Sequence, residues 1–246
     1  MNENIELLYT NFLAIKNMGW IKSFKNGFSG VGYTFERLLG KEVENFRIPD
    51  YYGIEIKATR CFNNHKIYLF SATPDGDILF QIPRIVKKLG YPDKTYPEYK
   101  KFYATVNAKE YTSVGYKRIK LSINWEKEKI DLLAYSTYGK TFNLEISWSF
   151  QLLREVYCLK LNQLAIVNAY SKTINHIEYF LYNSIDFYKQ KDFSTFLKLI
   201  EDGTIEINFQ ISIWKKGLRL GKIHDRGTCF SIMEKDIDRL FYKINN

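Results

Sequence analysis

The stretch Pro49-Asp50-Tyr51-Tyr52-Gly53-Ile54-Glu55-Ile56-Lys57 decides how the chain is interpreted. From Gly53 onward apolar and polar residues alternate, which predicts a β-strand whose side chains face alternately to two sides. Glu55 and Lys57 then share the polar face of this strand, because the side-chain period is two. Asp50 precedes the strand at a turn, so two carboxylates and one ammonium are expected close together.

This group has the composition of a catalytic magnesium site. Two carboxylates offer the hard oxygen ligands that Mg²⁺ prefers, and Mg²⁺ keeps several waters, so few protein ligands are needed. A neighbouring lysine can orient or help to deprotonate an attacking water and balance charge on a phosphate. The alternative is the solvated face of an ordinary amphipathic strand, a description that so short a motif fits as well.

A third acid precedes this motif in the sequence. Glu36 lies between Phe35 and Leu38, in a segment that predicts a helix from about residue 33 to 39 ending at Gly40. Its carboxylate either lies on the helix surface or projects toward the same metal site. The loop before this helix is basic and rich in glycine, and Lys22 and Lys25 are candidates for contacts with phosphate.

The overall composition fits a DNA-binding protein without requiring one. The 246 residues carry 36 Lys and Arg against 27 Asp and Glu, a formal charge of +9, which suits a polyanion such as double-stranded DNA. Many basic proteins bind no nucleic acid, so charge alone also fits a non-catalytic DNA-binding protein. No run approaches the roughly 18 apolar residues of a membrane span. The acidic start and the 3 scattered cysteines predict a reduced, cytoplasmic protein.

The order of predicted elements indicates an α/β fold. Helical spacing of apolar residues over 4–17 is followed by strands near 54–60 and 66–72 and by a segment around 75–115 that reads as irregular. A helix over 149–159 leading into the apolar run 163–169 is typical of a crossover onto the same sheet. Further strands are predicted near 117–124, 129–136, 142–147, 176–183 and 204–214, with helices near 192–200 and 234–243.

A second candidate site lies near the end of the chain, at His224 and Asp225. The pair is compatible with a general base and its orienting carboxylate, with half of a metal site, or with a solvated turn. The chain has 3 histidines in all, which does not favour a multi-histidine metal centre. Basic residues are dense around the pair, which suits a DNA-facing loop: Lys215, Lys216, Arg219, Lys222 and Arg226.

Four blocks of sequence together resemble the MvaI/BcnI family of type II restriction endonucleases, relatives of the mismatch-repair nickase MutH. They are residues 27–40 (GFSGVGYTFERLLG), residues 49–57 (PDYYGIEIK), residues 148–150 (WSF) and residues 221–230 (GKIHDRGTCF). The blocks are spread over most of the chain in the family's order. Tyr33 stands where the family pattern leads us to expect lysine, which puts a phosphate contact at that position in doubt.

The resemblance implies a PD-(D/E)xK core, a mixed sheet flanked by helices, over residues 1–170, with a C-terminal DNA-recognition lobe over 171–246. It implies dependence on one or two Mg²⁺ ions, action as a monomer on short sites of the CCNGG kind, and a cognate DNA methyltransferase encoded separately. Asp50 and Glu55, with the backbone carbonyl of Ile56, would be the metal ligands. Lys57 would be the catalytic lysine and Glu36 an auxiliary acid.

The same resemblance favours DNA reading for the C-terminal block, where Trp214, His224, Asp225, Arg226 and Thr228 join the lysines already named. Asn208 and Gln210 are expected on one outward strand face. An amide pairs with adenine and a cation with guanine, so these two amides predict a target with more A·T pairs than CCNGG. A MutH-like nickase is the alternative closest in chemistry.

Overall fold

The computed structural model describes residues 3–40, 49–61 and 65–244. Its α-helices there are α1 (Glu3–Asn17), α2 (Gly30–Leu38), α3 (Ile78–Leu89), α4 (Phe150–Leu161), α5 (Phe193–Glu201) and α6 (Ile237–Leu240). Its strands are β1 (Ile21–Lys22), β2 (Ile54–Arg60), β3 (Lys66–Ser71), β4 (Tyr91–Pro92), β5 (Lys100–Val106), β6 (Thr112–Val114), β7 (Lys117–Asn124), β8 (Lys129–Ser136), β9 (Thr141–Phe142), β10 (Ser147–Ser149), β11 (Gln163–Ile174), β12 (Ile177–Gln190), β13 (Ile205–Ile213), β14 (Ile223–Asp225), β15 (Cys229–Met233) and β16 (Phe241–Ile244).

The chain divides into two compact units, each built from separated segments. The first unit comprises Met1–His65, Tyr157–Lys191 and Ile237–Asn246, and the second Lys66–Val156 and Asp192–Asp236. The predicted division near residue 170 therefore falls within β11 of the first unit. A single cut in the sequence could not show that the chain leaves one unit and returns to it.

A mixed sheet with two helices on one face forms the first unit. Its order is β1-β12-β11-β2, with β16 beside β12. Strand β2 runs parallel to β11, with Glu55 opposite Leu164, so the predicted crossover onto the same sheet is confirmed. The apolar stripe of α1 is buried as its spacing predicted, and it packs with α2 and with Ile54 and Ile56 of β2. This packing fixes one face of β2 in the core and directs Glu55 and Lys57 to the other.

Two antiparallel sheets form the second unit. One has the order β10-β8-β7-β6 with β9 beside β8, and the other β3-β15-β13-β5-β4 with β14 beside β13. Aromatic side chains fill the core of this unit, as at Trp148, which is fully buried and donates its indole N–H to the carbonyl of Ala72 at 3.0 Å.

The segment 75–115 is more regular than predicted. Helix α3 occupies its first part despite Pro83, because Asp77 caps the helix by accepting from the N–H of Leu79 at 2.8 Å. Apolar residues at helical spacing then bury one face of α3, which outweighs the hydrogen bond that proline removes. Strand β5 follows and pairs with β13.

The last predicted helix, over 234–243, is also shorter than expected. A 3₁₀ turn at Glu234–Asp236 and the single turn of α6 lead into strand β16. Phe241 is buried and is the first residue of β16 to pair with β12. The backbone hydrogen bonds that these residues form at the edge of the sheet therefore outweigh their helical pattern. The strand predicted near 142–147 is likewise divided into β9 and β10.

No helix in the described part of the chain is both long enough and apolar enough to cross a membrane.

Candidate active site

The acidic cluster is assembled by a tight turn before β2. Tyr51 and Ile54 exchange both backbone hydrogen bonds, at 2.9 and 2.8 Å, and the residues between them, Tyr52 and Gly53, have positive φ of 43° and 86°. These are the features of a type I′ turn. Counting one residue outward on each arm places Asp50 opposite Glu55. Asp50 confirms the approach by accepting from the N–H of Ile56 at 3.0 Å.

Glu55 is the centre of the cluster and is 1% exposed. Lys57, on the same face of β2 as predicted, places its Nζ 2.6 Å from Oε1 of Glu55. Lys160, at the end of α4, places its Nζ 3.4 Å from the same oxygen. Two ammonium groups thus offset the free-energy cost of burying this carboxylate. A buried carboxylate without such partners would be strongly destabilising.

The environment of the other carboxylate oxygen of Glu55 is compatible with its acting as a metal ligand. Oε2 is buried and has no hydrogen-bond partner among the described residues, an arrangement that costs about 1–3 kcal/mol unless a cation or donor satisfies it. Asp50 is its neighbour across the turn. In the described ranges no group of three His, Cys, Asp or Glu side chains is arranged to hold a metal ion, so a cation held by these two carboxylates would need backbone oxygen or water as its other ligands. Mg²⁺ accepts such a set, with waters completing its octahedron.

Glu36 lies on α2, in the same unit. Its Oε1 would be 3.7 Å from a Cβ added at Gly32, one helical turn earlier. Tyr182 of β12 is close enough to sense its charge: burial raises the pKa of Tyr182, the positive charge of Arg60 lowers it, and the negative charge of Glu36 raises it. The Tyr182 hydroxyl donates to the carbonyl of Val31 at 2.8 Å, which ties α2 to the sheet.

The basic loop before α2 is held by Arg60 at the end of β2. The Arg60 guanidinium forms a bidentate pair with Glu178, at 2.7 and 2.8 Å, and donates to the carbonyls of Gly27 and Phe28. Lys22 and Lys25 are both exposed. The loop that carries them therefore has a fixed anchor.

Asn208 and Gln210 occupy the same face of β13 but differ in environment. Gln210 is exposed, as expected. Asn208 is 5% exposed, which corrects the expectation that it faces outward. Its Oδ1 accepts from the Thr105 hydroxyl at 3.0 Å and its Nδ2 donates to the Ser231 hydroxyl at 2.6 Å. Both ends of the Asn208 amide are therefore hydrogen-bonded to neighbouring strands, β5 on one side and β15 on the other. Asn208 has a structural role in the sheet.

Residues 214–226, named here the reading segment, carry a three-layer stack. The rings of Trp214 and His224 lie 4.0 Å apart with an angle of 11° between their planes. The guanidinium of Arg219 lies 5.4 Å from the centre of the Trp214 ring. His224 is therefore engaged by an aromatic face. It is adjacent to Asp225 on a strand, where successive side chains point to opposite sides, which argues against a catalytic His-Asp pair.

Asp225 and Thr228 bond to each other. Asp225 accepts from the Thr228 hydroxyl at 3.0 Å and from the N–H of Gly227 at 2.9 Å. Thr228 is 1% exposed, so its contact in this structure is Asp225 rather than the surface. Four basic side chains of the reading segment are exposed: Lys216, Arg219, Lys222 and Arg226.

Lys215 pairs with a buried acid that the sequence did not single out. Its Nζ lies 2.9 Å from Oδ1 of Asp93, which is 2% exposed. The N–H of Thr95 donates to the same oxygen at 2.8 Å, and Lys101 lies 3.6 Å from the other. Hydrogen bonds from Lys215 and Thr95 hold the pKa of Asp93 well below its usual range. Asp93 lies in the segment that reads as irregular, so nothing in its pattern marks it.

Lys160 was missed for a different reason. A lysine at the end of an amphipathic helix is an ordinary surface residue in sequence. Only the predicted crossover, which makes β11 parallel to β2, carried a signal, because it returns the end of α4 to the neighbourhood of the motif strand.

Two solved structures resemble the whole chain. The solved complex of the restriction endonuclease MvaI with its cognate DNA substrate is 26% identical, covers 99% of this chain and 98% of its own, and superposes with a TM-score of 0.91. The structure of MvaI in the absence of DNA is 25% identical over the same shares, with a TM-score of 0.62. No curated protein matches the chain. The model of the MvaI/BcnI restriction endonuclease family matches residues 9–241, and the chain therefore belongs to that family.

Proposed function

We propose that this protein is a type II restriction endonuclease that makes Mg²⁺-dependent double-strand cuts at a short, specific DNA site. Membership of a restriction endonuclease family makes it a DNA-cleaving nuclease. The observation that carries the finer proposal is the environment of Glu55, a buried carboxylate with one oxygen on two lysines and the other without a partner among the described residues. We further assign the first unit as the PD-(D/E)xK core.

In this proposal Asp50, Oε2 of Glu55 and the backbone carbonyl of Ile56 would hold Mg²⁺, which when bound polarises the phosphoryl oxygen and lowers the pKa of a water. Lys57 orients the attacking water and offsets the charge that grows on the phosphate, while its contact with Oε1 fixes its position. Lys160 fixes the same oxygen from the other side. Water adds across one phosphorus–oxygen bond, and the leaving oxygen takes up a proton.

DNA contact in the proposal comes from two sets of residues. The fixed basic loop with Lys22 and Lys25 contacts phosphate. In the second unit, the exposed Gln210 and the reading segment contact base edges, with Arg219, His224 and Arg226 as donors, and Lys216 and Lys222 contact phosphate. The similarity to MvaI, whose structure was solved in complex with its cognate DNA, supports DNA binding in this proposal. The protein would act as a monomer, with a separate methyltransferase protecting the host DNA.

The test is incubation of supercoiled plasmid with the protein, with and without Mg²⁺. Discrete linear fragments that require Mg²⁺ support the proposal. Accumulation of open circles alone would indicate a nickase of the MutH kind, and unchanged plasmid would indicate DNA binding without catalysis. Glu55→Gln serves as the matched negative control, because it keeps the shape of the side chain and removes the charge.

A further inference from the structure

The loop formed by residues 93–99 makes several contacts with the reading segment. Its buried Asp93 binds the ammonium of Lys215 at 2.9 Å. The hydroxyl of Tyr96 reaches the carbonyl of Lys215 at 3.4 Å. The ring of Tyr99 lies against Gly221 so closely that a Cβ there would be 2.6 Å from it.

The loop is internally braced. The N–H of Asp93 donates to the carbonyl of Tyr99 at 2.9 Å, and the N–H of Tyr99 donates to that of Tyr96 at 3.0 Å. Asp93 also accepts from Thr95 and Tyr96 at 2.8 and 3.3 Å. A loop closed on itself in this way presents a rigid surface to the reading segment.

The reading segment has backbone hydrogen bonds of its own, from the N–H of Trp214 to the carbonyl of Lys222 at 2.9 Å and from the N–H of Gly221 to the carbonyl of Trp214 at 3.0 Å, and the loop packs against it. Gly217 and Gly221 have φ of +69° and +79°, and Leu218 is fully exposed. Gly221 is required there twice over, since its φ disfavours a side chain and Tyr99 leaves no room for one. The stack of Arg219, Trp214 and His224 borders this stretch, and Lys215 directly follows Trp214 in the chain.

We infer that the buried Asp93, through its ion pair with Lys215, is a positioning residue that sets where the Arg219–Trp214–His224 stack meets DNA. Lys215 then serves the protein through this pair rather than as a phosphate contact. The inference rests on the proposed function, because it assigns a role within that function's recognition surface. Asp93 itself is buried, so its effect on specificity is exerted through Lys215.

The test compares Asp93→Asn with Asp131→Asn. Both changes convert an acid of the second unit into its amide. Each also removes the carboxylate that pairs with a lysine, since Asp131 pairs with Lys129 at 2.7 Å. The target is first obtained from wild-type protein by digesting a plasmid library and sequencing the ends. The ratio of kcat/KM on that target to kcat/KM on each single-base-pair variant is then measured.

We expect Asp93→Asn to lower this ratio about tenfold at one or two adjacent base pairs, in the range that loss of one base contact produces. Asp131→Asn should leave every ratio unchanged. A general loss of stability would reduce cleavage of all sites together and leave the ratios as they are. Equal ratios for wild type and Asp93→Asn overturn the inference.

A second measurement needs no DNA. Stacking at 4.0 Å should shift the imidazole resonances of His224 through the Trp214 ring current, and with 3 histidines in the chain these resonances can be assigned by comparison with His224→Gln. Asp93→Asn should move them toward unstacked values, and Asp131→Asn should not. If Asp93→Asn does not fold, Lys215→Met, which keeps the side-chain stem, takes its place in both measurements.

The two possible failures are distinguishable. If wild-type protein cleaves no DNA, the proposed function fails, and the resonances still show whether Asp93 positions the stack. If wild type cleaves at a defined site and either the ratios or the resonances of the variant stay unchanged, the inference alone is wrong.

Discussion

Oε1 of Glu55 lies 3.4 Å from Nζ of Lys160, a residue 105 positions further along the chain. The same oxygen lies 2.6 Å from Lys57. The buried carboxylate is thus fixed by two cations, one local in sequence and one remote. Its second oxygen is left for a ligand, and the predictions for the catalytic cluster follow from this division.

Glu55→Gln and Asp50→Asn should each lower Mg²⁺-dependent cleavage about a thousandfold or more, because a bound metal supplies several kcal/mol and each 1.36 kcal/mol is a tenfold change in rate. DNA binding measured in Ca²⁺ should change little. Asp186→Asn is the control, since Asp186 is an acid of the same unit that pairs with Lys243 at 2.8 Å. Normal cleavage by either active-site variant would falsify the metal assignment.

Lys57→Ala should reduce single-turnover cleavage by about 10²–10⁴-fold, the usual contribution of a positioned proton-transfer group. Lys57→Arg should not restore it, because the planar guanidinium cannot replace a compact ammonium. Lys160→Ala should cost less, about 10- to 100-fold, as expected for loss of one charged hydrogen bond to Glu55. A larger loss in Lys160→Ala than in Lys57→Ala would reverse the roles assigned to the two lysines.

Glu36→Ala should be milder than Asp50→Asn, with cleavage reduced about tenfold. The reason is that Asp50 and Glu55 still provide two carboxylates when Glu36 is removed. Titration of the cleavage rate with Mg²⁺ should show a raised metal requirement and a nearly normal rate at saturation. A loss at saturating Mg²⁺ as deep as that of Asp50→Asn would make Glu36 a metal ligand in its own right.

The placement of Asp50, Glu55 and Lys57, the proposed catalytic cluster, is the part of the candidate site that the sequence predicted best. Alternation around Glu55 and Lys57 fixes their common face, and the Tyr52-Gly53 turn returns Asp50 to it, so both are local consequences of nine residues. The remote partners could not be read in this way. Lys160 depends on the pairing of β2 with β11, and Asp93 on packing between two loops that the sequence separates by more than a hundred residues.

The error at Asn208 has a similar origin. Alternation assigned Asn208 and Gln210 correctly to one face of β13, and only the neighbouring strands determine which part of that face is covered. Pairing with β15 reaches Asn208 and stops there, while Gln210 lies beyond it. Sequence periodicity predicts which face of a strand a residue occupies, but not how far the neighbouring strands extend along it.

This difference gives a pair of contrasting variants. Asn208→Ala should lower the free energy of unfolding by about 1–3 kcal/mol, because it leaves the half-buried hydroxyl of Thr105 and the buried hydroxyl of Ser231 without their amide partner. Gln210→Ala should leave stability within about 0.5 kcal/mol, as exposed substitutions do, and relax discrimination at one base pair. Urea unfolding and sequencing of cleaved ends measure the two effects. Unchanged preference in Gln210→Ala would show that Gln210 reads no base.

The ion pair of Asp93 should make stability depend on pH in one direction. Lys215 and Lys101 are the charged groups that face this carboxylate, and hydrogen bonds from Lys215 and Thr95 lower its folded-state pKa below the ordinary value of 3.8. A lowered pKa stabilises the fold above that value, and the stabilisation is lost as pH falls below it. Wild type should therefore exceed Asp93→Asn in stability by a constant amount from pH 5 to 8. The difference in stability between wild type and Asp93→Asn should become smaller below about pH 4. A difference that grows on acidification would contradict a stabilising ion pair between Asp93 and Lys215.

The pairing of β2 with β11 has a consequence for the protein while it is being synthesised. The strand that carries Glu55 and Lys57 is translated well before β11, its neighbour in the sheet among the described residues, and β16 joins that sheet later still. Non-local pairing of this kind forms late, because the loop must close first. A product terminated before β11 carries Asp50, Glu55 and Lys57 but lacks the strand that pairs with β2. Translation that is interrupted before β11 is therefore expected to yield inactive fragments rather than an active nuclease.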